Sequence, residues 1–416
     1  MFMLRRSAVS LLLFLGLSVR EQRVFALECD PGICQGNPCT IATSHQLEPD
    51  CTLDFSGKDV TIGPNSRLAS GTSGSLSIKA RNLTVLGTIQ FVNGWLNIDV
   101  DQDFRTGRTP GQGTISGLPS RDINTSSNIQ ISAGGDVILA GSTVFAAGSE
   151  ASLLIYGNDV AIGSSIDIEG GPSGEGTDLE VFAGGRLQIT TRIKMKGSQY
   201  GGPSAYFYSG GDIEIDAPIQ TDKILPSYFY FSAGQNLIVN AAIRAQSSSA
   251  YGGSSVILLA NGNVAVNAMV DARGHGSQAG GGDIEIAPLQ PSGNVTIAAN
   301  ILDSGPDTAY SSQAPTIYIG PACTASIKGK LDARGDHQGS ITIWYVSQLD
   351  LAGAKLFADP ASSSFYGGGN TIGCACTGVD SNLVCHGGCI ADPTGLSRSS
   401  ARPPVTIAPT QLDPCS

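Results

Sequence analysis

The sequence is poor in charged residues, in aromatic residues and in long apolar runs. Charged residues make up 14% of its 416 positions, against about 25% in ordinary soluble domains. Beyond the first 26 residues, no stretch approaches the ~18 continuous apolar residues of a membrane-spanning helix. A hydrophobic content of 41% still excludes a disordered acidic tail. Collagen is excluded as well, because there is no Gly-X-Y period.

Glycine is the residue in excess, at 54 of 416 positions, close to twice its average usage of about 7%. Glycine is the residue of tight turns, because it has no Cβ to clash there. A chain of this size with much glycine and little charge therefore suits many short strands joined by tight turns.

Residues 1–26 are predicted to be an export signal. Arg5 and Arg6 precede an apolar run of 12 residues, which is too short to span a bilayer, and Val24-Phe25-Ala26 fits a cleavage site. The mature chain is therefore expected to be secreted, extracellular or at the cell surface, without a transmembrane segment. The signal contains four arginines and one glutamate, so its removal changes the net charge from −11 to −14. This charge argues against nucleic acid as a partner.

The ten cysteines all follow the signal, and all except Cys323 crowd the two ends of the chain. An even number of cysteines in an exported chain predicts disulfides, in preference to a zinc site near His386, and their pairing stays open. The predicted disulfide cysteines are Cys29, Cys34, Cys39, Cys51, Cys323, Cys374, Cys376, Cys385, Cys389 and Cys415.

Between the cysteine clusters the chain repeats about every 26 residues. Each repeat has a polar anchor residue, an alternating strand, a small break and a second strand, as in Asp159-VAIGSSIDIEG and Asn263-VAVNAMVDARG. A third short strand precedes most anchors. Aliphatic residues at anchor +1, +3 and +7 are expected to point inward.

This period and strand content predict an all-β, right-handed, single-stranded parallel β-helix of about twelve coils, with disulfide-rich caps at both ends. The predicted organisation is a signal at 1–26, a Cys-rich N-terminal cap at 27–52, the β-helix at 53–360, and a Cys-rich cap with a Pro-rich tail at 361–416.

Three units carry a resemblance to a known family: Ser132-Ala-Gly-Gly-Asp136, Phe182-Ala-Gly-Gly-Arg186 and Ser209-Gly-Gly-Asp212. They resemble the coils of filamentous-haemagglutinin-type bacterial surface β-helices over about residues 53 to 360. The resemblance implies an exported, non-enzymatic surface or structural protein of adhesin-like character. No catalytic motif set accompanies it.

Pectin-degrading enzymes share this kind of scaffold, so a polysaccharide-active lyase or hydrolase with an unrecognised site is the alternative. Gly274-His275-Gly276 and Arg192-Ile193-Lys194 resemble two polygalacturonase motifs. They occur in reversed order, however, and the motifs that would supply the acid pair of a glycosidase are missing.

Asp99, Asp101 and Asp103 alternate along the chain, and on one strand face they would offer oxygen ligands to calcium. Calcium is the one cofactor that the sequence suggests. A solvated strand face is the simpler interpretation of the same pattern.

Several neighbouring repeats have residues of opposite charge at anchor +8 and +10. Opposite charges are expected to face each other across neighbouring coils as Asp167/Lys194, Glu169/Lys196 and Arg244/Asp271. Each such pair would stabilise the register by about 0.2–1 kcal/mol.

The aromatic residues supply the strongest prediction of a binding surface. Phe207 and Tyr230 are expected to point outward on adjacent coils, with Tyr200 and Tyr251 at the rim. Exposed aromatic rings in a polar frame are typical of binding platforms. The expected ligand is a glycan or a surface protein, and stacking sheltered under a loop is the alternative.

Overall fold

The structure is a computed structural model that describes residue 29 and most of residues 32–410. The described residues form strands, turns and bends, with no helix among them. The residues outside the description are 1–28, 30–31, 72–73, 108, 110–111, 119–125, 172–173, 175, 223–224, 249–252, 276–280, 291, 306–314, 335–338, 359–368, 376–377, 380–384, 387–400, 403–404 and 411–416.

The strands wind into a parallel β-solenoid of about ten turns. The all-β solenoid is therefore confirmed, with slightly fewer coils than the repeat predicts. Each coil has three faces, named here face 1, face 2 and face 3 in the order in which the chain runs through them.

Face 1 contains the third strand of the repeat, which precedes the polar anchor. Its own strands are β7 (Gly94–Val100), β10 (Ser127–Ala133), β12 (Ser152–Gly157), β14 (Thr177–Ala183), β17 (Pro203–Ser209), β20 (Tyr228–Ala233), β23 (Ser255–Ala260), β26 (Asp283–Pro288), β33 (Gly369–Ala375) and β37 (Val405–Thr410).

Face 2 follows the anchor. Its own strands are β1 (Cys39–Ile41), β8 (Phe104–Thr106), β15 (Leu187–Ile189), β18 (Ile213–Ile215), β21 (Leu237–Val239), β24 (Val264–Val266) and β27 (Val295–Ile297). Four longer strands run through faces 1 and 2: β3 (Cys51–Ile62), β5 (Leu76–Val85), β29 (Thr316–Ile327) and β31 (Ser340–Asp350).

Face 3 completes the coil. Its strands are β2 (His45–Leu47), β4 (Arg67–Ser70), β6 (Thr88–Val92), β9 (Thr114–Leu118), β16 (Ile193–Lys196), β19 (Ile219–Thr221), β22 (Ile243–Arg244), β25 (Val270–Asp271), β28 (Ile301–Leu302), β30 (Lys330–Ala333), β32 (Lys355–Ala358) and β36 (Ala401–Arg402). Strands β11 (Val137–Gly148) and β13 (Val160–Gly170) cover faces 2 and 3, and β34 (Gly378–Val379) pairs antiparallel with β35 (Cys385–His386).

The interior of the coil is a column of aliphatic side chains, as the repeat predicts. In one coil Val160, Ile162 and Ile166, at anchor +1, +3 and +7, are buried. Parallel pairing places each on its equivalent in the next coil, so that Val160 lies beside Leu187 and Ile166 beside Ile193. Burial of these columns is the main force that holds the coils together.

The polar anchors have a structural role that the sequence pattern did not reveal. The side-chain oxygen of Asn236 accepts hydrogen bonds from the backbone N–H and side-chain amide of Asn263, both at 3.0 Å. Asn263 accepts the same pair of bonds from Asn294, at 3.1 and 2.9 Å. A carbonyl oxygen at the anchor therefore satisfies a backbone donor of the next coil, at a turn where the strand ladder is interrupted.

Two disulfides lie at the N-terminal end, Cys29–Cys51 and Cys34–Cys39. Cys39 and Cys51 begin strands β1 and β3, so the disulfides attach the entering chain to the first coils. Cys323 is also disulfide-bonded. Cys376, Cys389 and Cys415 lie outside the described residues, and so do the side chains of Cys374 and Cys385.

The predicted charge columns are in register: on paired strands, Asp167 lies opposite Lys194, and Arg244 lies opposite Asp271. The close ion pairs nevertheless form elsewhere, at 3.2 Å between Asp167 and Arg192 and at 2.8 Å between Asp271 and Arg273. Arg273 reaches the carboxylate two residues before it in its own coil, because residues two apart point to the same side. Arg192 reaches across to Asp167 on the preceding coil.

Candidate functional site

The outward side of face 1 carries an aromatic cluster. Side chains alternate along each strand, so every second residue of a face 1 strand points outward, and these residues form columns that run along the solenoid axis. The column beside the anchor turn contains Tyr156, Phe182 and Tyr208 on three successive coils, aligned in register. These three residues are called the aromatic stack below.

The rings of the aromatic stack lie flat against one another. The centroids of Tyr156 and Phe182 are 5.0 Å apart with planes 6° from parallel, and those of Phe182 and Tyr208 are 4.8 Å apart at 8°. These distances match the spacing of the strands that carry the rings. Because neighbouring ring faces cover each other, the stack presents ring edges at its side.

A second aromatic group lies next to the stack on the following coils. The Tyr208 and Tyr230 rings are 5.5 Å apart and tilted by 43°, and those of Tyr206 and Tyr228 are 5.5 Å apart and tilted by 45°. Tyr228 and Tyr230, on one strand, are 6.5 Å apart. All are half-buried, so the outward side of face 1 is aromatic across four coils.

A cleft of about 680 Å³ runs beside the aromatic stack. Each of six successive coils contributes residues to it from the same part of the repeat, namely the end of the face 1 strand and the turn that follows. Its lining is Ala133, Gly134, Tyr156, Gly157, Asn158, Phe182, Ala183, Gly184, Tyr208, Ser209, Gly210, Ser232, Ala233, Gly234 and Asn261. The cleft is therefore elongated along the solenoid axis.

Glycine is required at two of these turns because the coils approach closely there. A Cβ on Gly210 would lie 2.1 Å from the carbonyl oxygen of Gly184, and a Cβ on Gly234 would lie 2.1 Å from that of Gly210. The turns therefore stack backbone on backbone, which leaves room for the cleft beside the rings.

Carboxylates lie at the two ends of the central outward column of face 1. The central outward column reads Glu180, Tyr206, Tyr230, Ile257 and Glu285 from coil to coil. Burial raises the pKa of Glu285. Glu180 and Glu285 therefore lie at the two ends of a column that contains Tyr206, Tyr230 and Ile257.

A second acid accompanies each of these glutamates two residues earlier on its strand. Burial raises the pKa of Asp178, which also faces the charge of Glu150, although a hydrogen bond with Ser204 opposes the shift. Burial likewise raises the pKa of Asp283 against a hydrogen bond with Thr316. Face 1 thus has a partly dehydrated, acidic frame.

Tyr156 and Tyr208 are neutral hydrogen-bonding groups at physiological pH. Burial, reinforced by the charge of Glu180, raises the pKa of Tyr156 above its ordinary 10.0. Burial and the neighbouring Tyr230, Tyr206 and Glu180 do the same for Tyr208. Their phenols therefore remain protonated and can both donate and accept hydrogen bonds.

Phe207 was predicted to point outward, and this is wrong. The Phe207 side chain is fully buried and stacks on Phe231 inside the solenoid, with centroids 4.6 Å apart and planes 4° from parallel. The error is one of register, because Tyr206 and Tyr208 are the residues on either side of Phe207 that point outward. The partner of outward Tyr230 on the preceding coil is Tyr206.

Two predicted rim residues are not part of this cleft. Tyr200 is 72% exposed and lies before the start of β17, whereas the cleft lies at the end of that strand. Tyr251 lies outside the described residues.

The signal for the aromatic stack was present in the sequence. Phe182 directly precedes an Ala-Gly-Gly turn and Tyr208 a Ser-Gly-Gly turn. Alignment on the glycines would have placed these rings at one register position, and Ser132 and Ser232 at the same position on flanking coils.

The three aspartates proposed for calcium do not form a site. Strand β7 ends at Val100, so Asp101 and Asp103 follow it in a turn. Asp103 is a coil anchor whose carboxylate accepts the backbone N–H of Asp136 at 3.1 Å and a guanidinium N–H of Arg105 at 3.0 Å. No group of three or more potential ligand side chains within the described part of the chain is arranged to hold a metal ion.

No known protein family, curated protein or solved structure matches this chain. Among the described residues there is also no helix long and apolar enough to cross a membrane.

Proposed function

We propose that this chain is an exported, non-enzymatic β-helix protein of the extracellular space or cell surface that binds a neutral polysaccharide in the cleft on face 1. The observation that carries the proposal is the elongated cleft beside the aromatic stack, built from the same repeat positions on six successive coils. The surface β-helices that the Gly-Gly coils resemble are consistent with such a role.

The chemistry of the lining favours an oxygen-rich ligand. The edge of an aromatic ring carries positive partial charge, so the edges of Tyr156, Phe182 and Tyr208 attract oxygen atoms in preference to alkyl groups. Sugar hydroxyls can also exchange hydrogen bonds with the two phenols. A polysaccharide meets both requirements along the length of the cleft.

Electrostatics favours a neutral or amino-sugar polymer over a uronan. None of the described residues that line the cleft is Lys or Arg, while Glu180 and Glu285 lie in the adjacent column. The net charge of the whole chain is −11. A polyanion would therefore be repelled, as would nucleic acid or a protein partner with an acidic surface.

The test is binding of the purified protein to immobilised neutral glucans and chitin, and to polygalacturonate. We expect binding to a neutral polymer and none to polygalacturonate. The double variant Phe182→Ser with Tyr208→Ser should weaken binding at least tenfold. Serine is compatible with the fold there, because Ser132 and Ser232 occupy the same register position. Tyr200→Ser, on the same coil but away from the cleft, is the matched control.

Two results would contradict the proposal. Unchanged binding by the double variant, with thermal unfolding like that of the parent, would move the binding site elsewhere. Turnover of any polysaccharide at enzyme-like rates would favour the alternative of a polysaccharide-active enzyme.

A further inference from the structure

The end of the face 1 strand and the turn after it line the cleft on each coil that it spans. A ligand that lies along the cleft therefore meets equivalent backbone positions at regular intervals. Adjacent coils are about 4.8 Å apart, as the ring spacings of 4.8 and 5.0 Å in the aromatic stack show directly. The advance per sugar in a fully extended β-1,4-linked chain is close to this spacing. An α-1,4-linked chain of the same sugar curves into a helix and loses the match after a few residues.

The two phenol groups of the aromatic stack lie two coils apart. Tyr156 and Tyr208 carry phenols, and Phe182, on the coil between them, has none. The phenols are therefore about two strand spacings apart, roughly 9.6 Å. In an extended β-1,4-linked chain successive sugars are flipped, so equivalent hydroxyls return to the same side at every second sugar.

The geometry points to an extended β-1,4-linked neutral polysaccharide that lies parallel to the solenoid axis, with one sugar per coil and one disaccharide per pair of phenols. This inference rests on the proposed function and adds the linkage, the direction and the length of the bound segment. The six coils that line the cleft would hold about six sugars.

The test uses two series of oligosaccharides that differ only in linkage, cello-oligosaccharides and malto-oligosaccharides of two to eight glucose units, with affinity measured by calorimetry. We expect the affinity of the cello series to rise several-fold per added sugar and to level off near six. The malto series should show no such rise beyond two or three sugars.

A variant at one end of the cleft tests the direction of the chain. Asn261 is exposed and lines the last coil of the cleft. Asn261→Arg should lower the length at which affinity levels off by one or two sugars, whereas Tyr200→Arg, away from the cleft, should leave that length unchanged. If the chain crossed the strands instead, Asn261→Arg would leave the levelling point unaltered.

The outcomes separate this inference from the proposed function. Equal behaviour of the two series, or a cello series with no dependence on length, overturns the inference, while neutral-glycan binding that depends on Phe182 and Tyr208 still supports the function. If no neutral glycan binds, both are overturned.

Discussion

At the scale of the residue, neighbouring aromatic side chains in one strand have opposite roles. Phe207 belongs to the core and Tyr208 to the candidate binding surface, although they are adjacent in the chain. Strand geometry alone assigns these roles, because consecutive side chains leave the sheet on opposite sides.

Phe207→Ala should therefore destabilise the protein by about 3–5 kcal/mol, since it leaves a cavity in a closely packed interior. Tyr208→Ala, the matched control one residue later, should cost clearly less because its ring is only half-buried. Chemical denaturation of both variants measures the difference. Equal losses of unfolding free energy would show that the assignment of inner and outer faces is wrong.

Asp303 is a buried acid whose protonation state affects the free energy of unfolding. Its side chain is fully buried, and its carboxylate accepts the backbone N–H groups of Gly282 and Thr316 at 2.7 and 2.8 Å. Burial raises its pKa well above the ordinary 3.8 despite these bonds, and the charges of Asp283 and Asp271 act in the same direction.

Because folded Asp303 holds its proton more tightly than the unfolded chain does, its stabilising contribution is complete below about pH 3.8. It is lost as the pH rises through the raised value. The free energy of unfolding of the parent should therefore fall more steeply as the pH rises above about 4 than that of Asp303→Asn. Asp271 and Asp332 are also buried, but hydrogen bonds and ion pairs with arginine lower their pKa values. Their contributions to the pH dependence are present in the parent and in the Asp303→Asn variant alike, so they cancel in the comparison. Parallel pH profiles would contradict the prediction.

At the scale of the element, the Gly-Gly turn sets how closely consecutive coils approach. Gly210 and Gly184 occupy equivalent positions on adjacent coils, but only Gly210 has a backbone oxygen at 2.1 Å from a hypothetical Cβ. For Gly184 the nearest atom is at 3.7 Å.

Gly210→Ala should thus destabilise the protein by about 1–3 kcal/mol through overpacking. Gly184→Ala should be neutral or stabilising by about 0.4–1 kcal/mol, because alanine restricts the unfolded chain. Thermal unfolding of the two variants provides the comparison. Similar melting temperatures for both would indicate that the turns can spread without cost.

At the scale of the whole molecule, stability in a solenoid is approximately the sum of contributions from single coils and from neighbouring pairs. The Cys29–Cys51 disulfide closes a loop with a sequence separation of 22 residues, which corresponds to about 3 kcal/mol in the loop-entropy account. That stabilisation acts on the first coils, where an unpaired strand edge would otherwise be exposed.

Reduction should accordingly increase hydrogen exchange in β1 to β5 and leave the central strands β14 to β24 protected. Hydrogen exchange with mass spectrometry, with and without a reducing agent, measures this directly. The double variant Cys29→Ser with Cys51→Ser should reproduce the N-terminal effect alone. Simultaneous opening of the central strands would mean that the disulfides hold the solenoid together as a whole.

The sequence by itself determined the solenoid, because the period and its inward positions follow from local alternation. Val160, Ile162 and Ile166 could be placed in the core from their spacing alone. The N-terminal cysteines could be assigned to disulfides, but their partners could not, since pairing depends on distances between segments.

Only the tertiary structure decided which aromatic residues share a surface. Phe207 was assigned to the wrong side because a shift of one residue in a strand exchanges its two faces. The aromatic stack of Tyr156, Phe182 and Tyr208 arises from contacts between coils more than twenty residues apart in sequence. The same holds for the ion pair of Asp167 with Arg192, which depends on how long side chains reach across the face once the coils are stacked. The position of a residue along its strand determines whether its side chain points inward or outward, whereas the register between coils determines which residues that side chain contacts.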